Sequence, residues 1–158
     1  MTTEVENTVL EITRIFDATP AEVFNAWLTR EEWASWLGPE GINCDVPLLE
    51  PRVGGRYRVT MHLPDGKTLH IAGVFKAIEP NKSFAYTWGT EGDARETLVT
   101  VKLRELNGQT ELSLRQEGLP TAADRDGHVK GWNSALNKLV AYLATRETGQ
   151  ARRRHGAA

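Results

Sequence analysis

Residues 8 to 16, TVLEITRIF, alternate between two faces, with Val9, Glu11, Thr13 and Ile15 on one and Leu10, Ile12, Arg14 and Phe16 on the other. A period of two predicts a first strand. The pattern then changes: Val23, Phe24, Trp27 and Leu28 recur at helical spacing behind Thr-Pro-Ala-Glu at 19 to 22. There Thr19 is placed to cap a helix, Pro20 suits the first helical position and Glu22 can reach back to the cap amide. Thr29 and Glu32 repeat the capping signal before Trp33, Trp36 and Leu37, and Gly38-Pro39 stops the run. Two short helices in tandem are predicted.

From residue 41 to about 117 the period returns to two, broken by turn signals at Gly54-Gly55, Pro64-Asp65-Gly66, Pro80-Asn81 and Asn107-Gly108. This is the pattern of an antiparallel meander. Its clearest pair is TLVTVKLREL and QTELSLRQE, joined by Asn107-Gly108, which suits a type I′ hairpin turn. Thr97, Val99, Val101 and Leu103 should share a face with Leu112 and Leu114, leaving Lys102, Arg104, Glu111, Ser113 and Arg115 in water. With one face wet, another element must cover the dry one.

The cover is the last apolar-periodic segment, in which Trp132, Leu136, Leu139, Val140 and Leu143 recur at helical spacing behind the capping candidates Thr121 and Asp124. Each large side chain buried there contributes about 1.5 to 3 kcal/mol, enough in sum to outweigh two helical glycines at about 1 kcal/mol each. Those glycines, Gly127 and Gly131, lie four apart and so on one side of the helix. The expectation is that they allow close backbone approach to the tandem helices or a strand. His128, Trp132 and Leu136 also follow at intervals of four, which puts the histidine on or beside the inward face.

The order of strand, two short helices, meander and long helix defines an α+β helix-grip fold: a curved antiparallel sheet of about six to seven strands gripping a C-terminal helix. The chain resembles the START-like (SRPBCC, Bet v-like) superfamily, and within it the domain family of homologues of the activator of the ninety-kilodalton heat-shock protein ATPase. The resemblance is carried by FDATPAEVFNAW at 16 to 27, WLGP at 36 to 39, GGRYR at 54 to 58, PDG at 64 to 66, GVFKAIEP at 73 to 80, YTW at 86 to 88 and HVKGW at 128 to 132. It spans residues 8 to 146, read as a single domain with flexible termini at 1 to 7 and 147 to 158. What it implies is a cavity between sheet and helix; it does not imply one shared reaction.

Bulk properties narrow the functional classes. A net charge of −2 gives no broad positive field for nucleic acid, and the basic run Arg152 to Arg154 reads as a solvated tail. Cys44 is the single cysteine, so no internal disulfide or cysteine metal cluster can form, and a reducing cytoplasmic location fits. The N-terminus carries acids where a secretory signal carries basic residues, and no apolar run is long enough to span a membrane.

Motifs for a nucleophile elbow, a phosphate loop, a dinucleotide fold and a zinc protease are all absent. His62 and His70 flank the Pro-Asp-Gly turn and read as a solvated pair rather than a zinc site. No cofactor, metal or catalytic residue is assigned. The expected ligand-binding set is Trp36, Tyr57, Val59, Met61, Phe75, Tyr86, Trp88, Arg95, Val99, His128, Trp132 and Leu136, an apolar pocket with few polar groups. Arg95 and Glu96 are the candidates nearest its mouth. His128 either anchors the helix start through a backbone carbonyl or projects into the cavity as base or ligand anchor.

The expected function is binding of a small apolar or aromatic molecule. One alternative is a module docking on a heat-shock chaperone, as the resemblance suggests; another is a cyclase- or hydrolase-type enzyme using His128. The chain is expected as a monomer or homodimer, with neither nucleic acid nor membrane as partner.

Overall fold

A computed structural model describes residues 8 to 92 and 96 to 157, with the side chains of the last helix described as far as Thr145. Strand β1 (Thr8–Phe16) is followed by helices α1 (Pro20–Leu28) and α2 (Arg30–Trp36). The strands β2 (Asn43–Leu49), β3 (Arg56–His62), β4 (Thr68–Glu79), β5 (Ser83–Thr90), β6 (Thr97–Leu106) and β7 (Gln109–Leu119) then precede α3 (Ala122–Ala157). They form one seven-stranded antiparallel sheet in the order β1-β7-β6-β5-β4-β3-β2. The tandem helices therefore carry the chain from one edge of the sheet to the other. This is the helix-grip α+β architecture expected above. Residues 1 to 7, expected to be a flexible terminus, lie outside the described residues, and α3 runs to Ala157, past the boundary placed at residue 146.

Local signals explain most element ends. Thr19 and Glu22 form the complete capping box at α1, with Thr19 N to Glu22 Oε1 at 2.9 Å and Glu22 N to Thr19 Oγ1 at 3.2 Å. Asn107 and Gly108 take φ of 51° and 86°, the left-handed pair that a type I′ turn requires. The β6–β7 hairpin pairs Val101 with Leu114 and Leu103 with Leu112 on the dry face, while Arg104 bonds Glu111 across the wet one at 2.8 Å. At α3 the Asp124 amide donates to Thr121 Oγ1 at 3.0 Å, which caps the helix.

Three local expectations are corrected. Thr29 sits at the N-cap of α2 but its side chain makes no capping bond, and the Glu32 carboxylate, its expected partner, instead accepts from the Tyr142 hydroxyl of α3 at 2.9 Å. Val140, placed on the inward stripe, is 45% exposed. His62 and His70 do not pair: His62 Nε2 meets Asp45 Oδ2 at 2.7 Å, and His70 lies between the Thr60 and Thr68 hydroxyls.

The core fills the concave face. Trp27 and Trp36 meet edge to face at 4.7 Å between centroids, and Tyr57, Phe75, Phe84 and Tyr86 continue the aromatic packing across β3, β4 and β5. Over them α3 buries Trp132, Ala135, Leu136, Leu139 and Leu143. Polar ties fix its position: Lys138 Nζ donates to the carbonyls of Leu37, Gly38 and Ile42 at 3.2 to 3.3 Å, and the Glu40 amide donates to Ser134 Oγ at 2.6 Å.

Candidate functional site: a cavity under the start of the last helix

The concave face is solid in its middle and hollow at one end. Where β3, β4 and β5 run out beyond the aromatic core, Met61, Leu69, Ile71, Trp88 and Thr90 form the floor of a cavity of about 440 Å³. The α2–β2 loop supplies one wall through Leu37, Gly38 and Pro39. The roof is the first half of α3, from Ala123 and Asp124 through Gly127, His128, Gly131 and Trp132 to Ala135.

The two helical glycines are open-space residues, which corrects the expectation of close backbone approach. A Cβ built on Gly127 meets nothing within 4 Å, and one on Gly131 meets only Pro39 Cγ at 3.9 Å. Both line the cavity. Their missing side chains leave room beneath the helix, at a cost of about 1 kcal/mol each in helix propensity. The loop wall is held to α3 by the Lys138 and Ser134 bonds described above, so roof and wall are one braced unit.

The two tryptophans of the cavity are set by a directed chain of hydrogen bonds. Trp132 Nε1 donates to Gln116 Oε1 at 2.8 Å; Gln116 Nε2 donates to Thr97 Oγ1 at 2.8 Å; and Thr97 Oγ1 donates to the Trp88 carbonyl at 3.0 Å. Gln116 is fully buried, so each of these groups would be costly to leave unpaired. The indoles of Trp88 and Trp132 lie 6.4 Å apart at 46°.

His128 is half-buried on the roof, and its Nδ1 lies 2.8 Å from the carbonyl oxygen of Asp124, one turn back. The Asp124 carboxylate accepts from the Thr121 hydroxyl at 2.9 Å. His128 and Asp124 thus both line the cavity, and their side chains are each held by other groups rather than by one another. Among the described residues no cluster of three or more histidine, cysteine, aspartate or glutamate side chains is arranged to hold a metal ion.

Of the residues singled out by sequence, Met61, Trp88, His128 and Trp132 are brought together on this cavity. Trp36, Val59, Phe75, Tyr86, Val99 and Leu136 lie beneath it in the solid core, fully buried, with Trp36 Nε1 spent on the Ala26 carbonyl at 3.0 Å. Tyr57 is likewise buried, its hydroxyl donating to the Thr87 carbonyl. Arg95 lies outside the described residues. Glu96 does not line this cavity but a second, more polar recess on the sheet, where Arg58 pairs with Glu91 at 2.9 Å.

Leu69 and Ile71 were missed, although their alternation with His70 on β4 marks them as inward. Nothing local to Leu37, Gly38 or Pro39 marks them as a wall, since it is the long-range ties from Lys138 and Ser134 that hold this loop to α3.

A curved sheet gripping a long helix over a partly hollow core defines a START-like, SRPBCC-type domain. The family model of the activator of Hsp90 ATPase homolog 1-like protein matches residues 17–144, and the chain belongs to that family. Solved structures agree in fold. A protein from Chromobacterium violaceum is 28% identical with a TM-score of 0.80, over 85% of this chain and 95% of that one. The AHSA1 protein from Silicibacter pomeroyi is 27% identical with a TM-score of 0.78, over 88% of this chain and 99% of that one. A protein from Rhodobacter sphaeroides is 26% identical with a TM-score of 0.77, over 90% of this chain and 97% of that one. No curated protein sequence matches this chain significantly. No helix among the described residues is long and apolar enough to cross a membrane.

Proposed function

We propose that the protein binds a small, largely apolar or aromatic molecule in the cavity between its sheet and the first half of α3. The observation that carries this reading is the pair Gly127 and Gly131, which line about 440 Å³ of open space beneath a helix that alanine would stabilise. The volume falls within the range of small-molecule sites, and the lining is mainly apolar with a few polar groups, as in such sites generally. Met61, Leu69, Ile71, Trp88 and Trp132 supply the apolar contact, and His128 the polar one.

Tryptophan fluorescence tests the proposal, because Trp88 and Trp132 lie on the cavity. Titration with a panel of apolar and aromatic compounds should give saturable quenching or a spectral shift that Trp132→Ala abolishes and Glu111→Ala, on the wet face, leaves intact. Equal effects of the two substitutions, or no response across the panel in a cooperatively folded sample, would contradict it. The family description supports a second reading, in which the domain docks on a heat-shock chaperone. Stimulation of a chaperone's ATPase by the purified domain, unaffected by Trp132→Ala, would favour that reading.

A further inference from the structure

The few polar groups on the cavity limit what a ligand can present to them. His128 Nδ1 is 2.8 Å from the Asp124 carbonyl oxygen, and a carbonyl oxygen only accepts, so Nδ1 carries the hydrogen of this bond. In the neutral imidazole the other nitrogen then holds a lone pair and no hydrogen. Nε2 is at the far tip of the ring, and among the described residues it has no hydrogen-bond partner. Asp124 also lines this rim and is the only acidic residue of the described lining, which makes its formal charge negative. Beyond these two groups the lining offers side-chain polarity only at the Thr90 hydroxyl and the indole Nε1 atoms, of which that of Trp132 is already engaged by Gln116.

We infer that the cavity's ligand is an apolar, ring-bearing molecule with a hydrogen-bond donor, an alcohol, phenol or amine, and that Nε2 of His128 receives that donor. The inference rests on the cavity reading above and narrows it. A carboxylate placed there would meet a lone pair and a like charge, losing its water without gaining a partner. A hydroxyl in the same place replaces one hydrogen bond to water with one to imidazole, and the helical carbonyl that holds Nδ1 fixes the tautomer that accepts it.

Calorimetric titration of the full chain with naphthalene, naphthol and naphthoate, in mildly alkaline buffer, tests this assignment. Naphthol should bind about tenfold more tightly than naphthalene, the worth of one good hydrogen bond, and naphthoate more weakly than either. In His128→Phe, naphthol should lose its preference and bind like naphthalene, while Glu111→Ala, on the wet face, should leave all three affinities unchanged. His128→Gln, whose amide oxygen can accept, should recover part of the preference. Naphthol and naphthalene binding alike, or naphthoate binding best, would overturn the donor assignment and leave the cavity reading standing. Absence of binding by all three probes to a cooperatively folded chain would overturn both.

Discussion

The indole Nε1 of Trp132 donates to Oε1 of Gln116 at 2.8 Å, and that bond joins the cavity face of α3 to the buried face of β7. Its polarity is forced. An indole N–H only donates, so the amide oxygen of Gln116 faces Trp132 and the amide nitrogen faces Thr97, whose hydroxyl is left to donate to the Trp88 carbonyl. Gln116→Leu leaves the Trp132 N–H buried without a partner and releases Thr97, and should cost about 2 to 3 kcal/mol. Urea unfolding checks the value. A cost under about 0.5 kcal/mol would mean that the chain of bonds does not hold the roof of the cavity to its floor.

Gly127→Ala should stabilise the protein by about 1 kcal/mol, because the new methyl meets nothing and the helix gains propensity. The unfolding midpoint, thermal or chemical, is the readout. A destabilised variant would restore the discarded idea that this glycine permits close backbone approach.

Gly73 is the opposite case. A Cβ there would stand 2.1 Å from the Thr87 carbonyl oxygen and 2.6 Å from Tyr57 Cε2, in the space the Tyr57 ring crosses to reach that carbonyl. Neither neighbour can yield easily, one being backbone and the other a fully buried ring. Gly73→Ala should lose about 3 kcal/mol, or fail to fold. A midpoint like that of the parent protein would refute this packing.

Stability should fall at high pH. Burial pushes the Cys44 thiol up from 9.0 to about 11, in spite of the opposing Lys138 ammonium, with Asp45 adding slightly to the rise. Burial also raises the Tyr57 and Tyr86 hydroxyls. For each group the unfolded chain releases its proton first, so the native state binds more protons once pH passes the unfolded value. The stability contributed by the buried Cys44 thiol is complete below pH 9.0 and declines as pH rises toward about 11. Urea midpoints measured across that window test the sign, and a flat or rising profile would contradict it. In native protein near neutral pH, Cys44 should also resist thiol reagents.

The fold was legible because its signals are local and redundant. The strands of the β6–β7 hairpin show clean alternation since one face is wet, and Asn107-Gly108 marks its turn with two left-handed residues. Thr19 and Glu22 cap α1 within four residues of sequence. Thr29 and Glu32 carry the same letters, but the Tyr142 hydroxyl from α3 captures Glu32, and no local pattern announces a competitor 110 residues away.

The site was legible only in part, for the same reason. Trp36 and Trp88 both stand beside a break in the chain, and sequence cannot say that one is sealed under α1 while the other faces a cavity. A helical glycine can mark close contact or open space, and the sequence pattern of Gly127 and Gly131 is identical in the two cases. His128 had two readings that the geometry does not force apart. Its Nδ1 holds a backbone carbonyl, as the structural reading expected, while the ring still lies on the cavity.

The central claim is that the space beneath Gly131 is where the ligand goes, and filling that space is its most direct test. Gly131→Leu places a side chain in the cavity from a backbone position whose Cβ has only ordinary contact, with Pro39 Cγ at 3.9 Å. Calorimetric titration with naphthol should show saturable binding to the parent protein and none to Gly131→Leu, while the variant unfolds at an equal or higher midpoint. Undiminished binding to a well-folded Gly131→Leu protein would place the ligand elsewhere and contradict the account.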